Sequence, residues 1–213
     1  MRKQYTLFAG VNGAGKTSMY RALYLESKNM GYRINTDEIV SRMGSWKDNK
    51  LQMQAGKEAV TLINKYLEEG STFHQETTLA GKTILKTIEK AKARGFYVVM
   101  NYIGIDSPKI AKERVAIRVA KGGHGIESEI LEKRYYQSLD HLKQAFKICD
   151  EVHIYDNTTE MNQIMYIEYS KVQWKADVLP IWIQKYALEE LMDEVIEENA
   201  EALQILDKEK YNN

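Results

Sequence analysis

Gly10-Val11-Asn12-Gly13-Ala14-Gly15-Lys16-Thr17 matches the phosphate-loop pattern G-x-x-x-x-G-K-[ST] at every fixed position. It follows Tyr5 to Ala9, a short apolar run that reads as a buried strand, and opens Thr17 to Asn29, which reads as a helix closed near Gly31. That strand–loop–helix setting is what the motif's mechanism requires. Glycines let backbone N–H groups curl around a phosphate without Cβ clashes, and the helix N-terminus adds the positive end of its dipole. Gly10 to Thr17, with Ser18, therefore form the expected nucleotide site. Lys16 is placed to reach the β- and γ-phosphates of ATP, and the Thr17 hydroxyl to ligate Mg²⁺.

Outward from this loop, strands alternate with helices. Tyr32 to Asn35, Ser71 to Gln75, Phe96 to Ile103, Glu151 to Tyr155 and Gln163 to Ser170 read as strands. Gln52 to Glu69 and Lys82 to Arg94 carry apolar residues at helical spacing and stop at Gly70 and Gly95. Ser107-Pro108 opens a helix to about Lys121, broken by Gly122-Gly123, and a second helix runs from about Glu127 to Lys147. Pro180 opens a long acidic amphipathic helix through about Leu206. The alternation predicts one α/β domain over residues 1–213, with a parallel sheet covered on both faces.

Composition narrows the setting. The 213 residues are 44% apolar and 28% charged, with two prolines, as expected of a packed, helix-rich chain. Thirty basic residues balance thirty acidic ones, so no chain-wide nucleic-acid or membrane footprint is expected. The single Cys149 excludes an intramolecular disulfide and a cysteine zinc cluster and fits a reducing compartment. No stretch approaches the roughly 18 apolar residues of a membrane span. Met1 to Gln4 leads straight into a strand pattern rather than an apolar signal segment. A cytoplasmic protein is expected.

Phosphate loops serve many reactions, so the acceptor has to be sought elsewhere. There is no Asn-Lys-x-Asp of a GTPase, no Leu-Ser-Gly-Gly-Gln of a transporter ATPase, and no apolar strand ending in a Walker B aspartate; Phe96 to Ile103 carries Asn101 instead. Polar clusters stand at the carboxyl ends of the expected strands, where open α/β sheets bind ligands. After the second strand comes Asn35-Thr36-Asp37-Glu38, whose Asp37 is either the base that takes an acceptor's proton or a cap for the next helix. After the third comes Glu76-Thr77-Thr78, set to bind an acceptor's hydroxyls, to hold Mg²⁺ through water, or to cap the helix beyond Gly81. Arg114, Arg118 and Lys121 fall at i, i+4 and i+7 on one helix face. Such a stripe is either a solvated surface or, with the Gly-Gly break and Arg134 beyond it, a helical lid over 108–147 that closes on phosphates. His124 reads as a hinge or loop hydrogen-bonder.

In these pieces the chain resembles the zeta-toxin-like P-loop kinases, in their stand-alone bacterial branch. The resemblance spans about Tyr5 to Asn157 and rests on the phosphate loop, Asn35-Thr36-Asp37, Glu76-Thr77-Thr78-Leu79-Ala80-Gly81, the Arg114 to His124 segment, Arg134-Tyr135-Tyr136-Gln137-Ser138-Leu139 and Tyr155-Asp156-Asn157. It implies a P-loop NTPase fold, a three-layer α/β/α arrangement with a mainly parallel five-stranded core sheet, and ATP and Mg²⁺ as co-substrates. The best-known members phosphorylate UDP-N-acetylglucosamine and act as toxins held by a small antitoxin. By position the family's base falls on Asp37, its acceptor-binding glutamate on Glu76 with the nearby threonine on Thr78, and its phosphate-contacting arginines on Arg114 and either Arg118 or Arg134. Ala80 stands where the UDP-sugar kinases carry a substrate-gripping arginine, a departure that bears on the acceptor and not on phosphoryl transfer.

The reading is an ATP-dependent phosphotransferase acting on a hydroxyl of a small molecule, nucleotide sugars being one class. Its rivals are a nucleotide switch regulated by a protein partner that docks on the C-terminal helix, and a nucleic-acid or nucleoside-end kinase. Acceptor specificity is expected in the loops Ser41 to Leu51 and Glu76 to Gly81.

Overall fold

The computed structural model describes residues 2–26 and 30–185. Its centre is β1 (Gln4–Ala9), which pairs in parallel with β3 (Phe73–Thr77) on one side and β4 (Tyr97–Gly104) on the other. With β2 (Tyr32–Ile34), β5 (Glu151–Asp156), β6 (Asn162–Glu168) and β7 (Lys171–Lys175), the sheet has seven strands in the order β2-β3-β1-β4-β5-β6-β7. The first five are parallel, and β6 and β7 extend the sheet antiparallel beyond β5. Every residue of β4 after Tyr97 is buried, the burial expected of a strand covered on both faces.

Helices supply that cover. They are α1 (Lys16–Glu26), α2 (Thr36–Met43), α3 (Asn49–Glu69), α4 (Lys82–Ala93), α5 (Pro108–Ala120), α6 (Ser128–Ile148) and α7 (Ile181–Lys185). The helix expected from Gln52 starts three residues earlier because the Asp48 side chain caps it, accepting from the N–H groups of Lys50 and Leu51. Its end is Gly70 in the left-handed conformation (φ 67°). Part of the expected Ser41–Leu51 loop is helical, leaving residues 44–48 between α2 and α3. In the expected C-terminal helix, Ile181–Lys185 is helical, and the remainder through Leu206 lies outside the described residues.

Helix α6 is built into the body of the molecule. It buries Leu131, Tyr135, Ser138, Leu139, His141, Leu142, Ala145 and Phe146. The Tyr135 hydroxyl donates to the carbonyl oxygens of Ile105 and Asp106 at 2.9 and 3.0 Å. The segment of the expected lid that borders a cleft is therefore the 121–127 connection and the first turns of α6, with Gly122 at a φ of 83° making the break. No helix among the described residues is long and apolar enough to cross a membrane.

The register fixes where chemistry can occur. Ala9 lies opposite Thr77 on β3 and Tyr102 on β4. The phosphate loop thus leaves the sheet at its carboxyl edge, with the ends of β2 and β3 on one flank and those of β4 and β5 on the other.

Candidate active site

Gly10 has a φ of 135°, and a Cβ there would run into the Ile103 carbonyl oxygen, so the turn out of β1 demands glycine. Gly13 (φ 84°) is also tightly placed: a Cβ there would lie 2.9 Å from the Ala111 carbonyl oxygen of α5. Val11, Asn12 and Ala14 are buried, while Thr17 and Ser18 are exposed at the start of α1. The Lys16 ammonium donates to the carbonyl oxygens of Gly10 at 2.8 Å and Val11 at 3.0 Å, which holds it over its own loop. Burial lowers its pKa to about 8, with Arg118 and Arg134 adding to the shift and Glu76 and Asp37 opposing it. Four of the expected site residues thus act on the charge of Lys16.

Beside the loop lies a cleft of about 530 Å³ whose wall includes Asn12, Lys16, Asp37, Glu76, Thr77, Thr78, His124 and Arg134. Of the two roles open to Asp37, the cap belongs to its neighbour: the Asn35 side chain accepts from the N–H groups of Asp37 and Glu38, at 2.9 and 3.3 Å. The Asp37 carboxylate, on the first turn of α2, faces the cleft and lies 3.6 Å from Nε2 of His124. Burial lowers the His124 pKa, Asp37 opposes that shift, and Arg118 and Arg134 deepen it. The Trp46 ring lies 5.5 Å from the His124 ring and fills the space a side chain on Gly125 would need.

The other wall is the end of β3. The Thr17 hydroxyl donates to Glu76 Oε2 at 2.9 Å. Glu76 Oε1 accepts from Arg33 at 2.5 Å, and Arg33 also makes hydrogen bonds to Glu38 and lies 3.6 Å over the Tyr20 ring. Thr17 and Glu76 together offer the hard oxygen donors that suit Mg²⁺, which keeps waters and phosphate oxygens in its remaining positions. Neither Glu76 nor its threonines cap α4, whose N-cap is Gly81 with no side-chain bond. Instead Thr77 Oγ1 accepts from the Leu79 N–H at 3.1 Å, and buried Leu79 takes a φ of 57°. Such a backbone costs about 1–3 kcal/mol, and His141, bound to the Leu79 carbonyl at 2.7 Å, helps to hold it. The Glu-Thr-Thr loop is thereby fixed with Thr78 on the cleft wall.

The arginines divide. Arg134 reaches Asn12 Oδ1 at 3.4 Å and lines the cleft. Arg118 has its Nε and Nη2 buried without a hydrogen-bond partner, an arrangement that suits an incoming anion. Arg114 does not join them: its Nη2 donates to the Thr158 carbonyl at 3.0 Å, on the β5 flank of the loop. Lys121 is exposed. Ala80 is buried and is not part of the cleft wall. Sequence reasoning missed Arg33, Trp46 and the contact of His124 with Asp37. The signal for Arg33 was a charged residue inside a short strand that runs into Asn35-Thr36-Asp37.

The zeta toxin family model matches residues 1–172, which include every residue of this cleft. The chain belongs to the zeta toxin family. Among relatives, this family member is 31% identical over 135 residues to an uncharacterized protein of Haemophilus influenzae, covering 63% of this chain and 94% of that one. Among solved structures, the fold is similar to a chain from the PezAT chromosomal toxin–antitoxin system of Streptococcus pneumoniae, with a TM-score of 0.59 and 18% identity over 92% of this chain and 88% of that one. It is also similar to a chain of the AvrRxo1-ORF1:AvrRxo1-ORF2 complex with ATP, with a TM-score of 0.63 and 12% identity over 81% of this chain and 60% of that one. The zeta toxin family member thus has the P-loop kinase fold, and its family membership supports phosphotransferase activity.

Proposed function

We propose that the chain transfers the γ-phosphoryl group of ATP to a hydroxyl of a small molecule bound in the Asp37 cleft. The observation that carries this reading is one cleft lined by Lys16, Asp37, Glu76 and Arg134, beside the phosphate loop. Asp37 takes the proton of the acceptor hydroxyl. The acceptor oxygen bonds to the γ-phosphorus as the bond from that phosphorus to the bridging oxygen breaks, and ADP leaves with the electron pair. Lys16, Arg134 and Arg118 meet the charge on the transferring group. Mg²⁺, held by Thr17 and, through water, by Glu76, would supply further neutralisation of phosphate charge. Closure of the 121–127 connection over the cleft keeps out water, which would otherwise compete as acceptor.

Glu76, Thr77 and Thr78 face the acceptor, and nucleotide sugars are the class the family suggests. Buried Ala80 brings no arginine to the cleft, so an acceptor here is gripped by other groups on the wall. A protein partner of the antitoxin kind is part of the reading, supported by the family and by the PezAT neighbour. Mass spectrometry tests the assignment: ATP and Mg²⁺ are incubated with pooled nucleotide sugars, nucleosides and amino sugars, with Lys16→Ala as blank. A phosphorylated product above the blank is expected; its absence removes kinase activity on that pool.

A further inference from the structure

In-line transfer sets acceptor and leaving group on opposite sides of the moving phosphorus. Asp37 and Glu76 stand on the β2–β3 flank of the phosphate loop, so the ADP portion of the nucleotide extends toward the β4–β5 flank. There Asn157 Nδ2 donates to the Ala14 carbonyl at 2.8 Å, and a Cβ on Gly15 would lie 2.5 Å from the same nitrogen. Residues 156–158 therefore form the wall of the loop on the side where ADP must sit. That wall is itself held from behind. The indole Nε1 of Trp182 donates to Asp156 Oδ1 at 2.8 Å, and the same oxygen accepts from the Thr158 hydroxyl at 2.7 Å. Thr158 Oγ1 in turn accepts from the Asp106 N–H at 3.0 Å, and the Thr158 carbonyl accepts from Arg114. Trp182 and Ile183 are 1% and 0% exposed and Leu179 4%, so this stretch is seated in the core. A side chain on Gly104, where β4 ends, would strike the Trp182 ring. Of these residues, Leu179, Trp182 and Ile183 lie past residue 172, where the family match stops.

We propose that Trp182 is a positioning residue for the nucleotide: residues 179–183 form a strap that fixes Asp156 and, through it, the wall of Asn157, Thr158 and Arg114 against the phosphate loop. The inference rests on the reading of that loop as the ATP site. Calorimetric titration of ADP tests it without requiring turnover. Trp182→Phe keeps an aromatic ring and removes the N–H donor. It is expected to raise the Kd for ADP about tenfold and to leave the KM of the acceptor unchanged. Thr158→Val breaks the next link without touching the core and is expected to weaken ADP in the same direction. In the double variant the two effects add to less than their sum, since one path carries both. Thermal melts run beside the titrations establish that each variant is folded. A native Kd in folded Trp182→Phe or Thr158→Val overturns the strap alone, as does an equal rise in acceptor KM. Failure of the native chain to bind ADP overturns the phosphate-loop reading and the strap with it.

Discussion

The Thr17 hydroxyl and the Glu76 carboxylate are bonded at 2.9 Å, tying the last residue of the phosphate loop to the end of β3. The apolar strand β4 beside β1 carries Asn101 and no aspartate, and it is a carboxylate of β3, on the other side of β1, that stands at the Thr17 hydroxyl. The Glu76 side chain is only 7% exposed and forms an ion pair with Arg33, while Lys16 feels its charge from further away.

Arg33→Met is therefore expected to destabilise the protein by about 3 kcal/mol, because it removes the ion-pair partner of a buried carboxylate. Glu38→Gln removes the other partner of Arg33, but that carboxylate is 54% exposed, and the expected cost is below about 1 kcal/mol. Urea denaturation of the two variants checks the contrast. Equal costs would mean that Glu76 does not depend on Arg33.

Arg118 predicts a trade of stability against activity. Two of its nitrogens are buried without a hydrogen-bond partner. Arg118→Met removes that unmet demand and is expected to raise stability by about 1–2 kcal/mol. The same change is expected to lower kcat at least about a hundredfold if, as proposed, Arg118 meets the charge on the transferring group. Melting curves and turnover on one preparation decide it, and a variant that is both less stable and fully active contradicts the assignment.

His124 gives the pH dependence. Burial holds its folded-state pKa below the ordinary 6.5. The unfolded chain then binds more protons between the two values, so stability from this site rises with pH through that window and is lost on acidification. Imidazole titration by NMR is expected to show a midpoint below 6.5, moving lower still in Asp37→Asn, because the carboxylate favours the charged ring. His124→Asn removes this part of the acid sensitivity and separates it from buried His74, which is shifted the same way. A midpoint that rises in Asp37→Asn contradicts the pairing.

The parts of this account legible in the sequence are those carried by contiguous residues. The phosphate loop is one unbroken motif, and Asp37 and Glu76 each follow a strand pattern, which places them at the ligand edge of any parallel sheet. What stayed hidden depends on how elements meet. Helical spacing put Arg114 and Arg118 on one face, but the seat of α5 sends Arg114 to Thr158 and leaves Arg118 near Lys16. Asn35 and Asp37 are both good caps, and the geometry of the first turn gave the cap to Asn35. Strand β7 alternates Val172 and Trp174 with polar residues, a short strand signal that the sequence reading passed over. Trp182 looked like part of a long amphipathic helix, and its indole bond to Asp156 has no trace in periodicity.

Whether Asp37 takes a proton from an acceptor is measured most directly by ADP formation with and without an acceptor pool. The native chain is expected to release ADP in an acceptor-dependent manner. Asp37→Asn should do so about 10² to 10⁴ times more slowly, while its Kd for ADP stays near native. ADP release that ignores the acceptor and proceeds undiminished in Asp37→Asn would contradict that role.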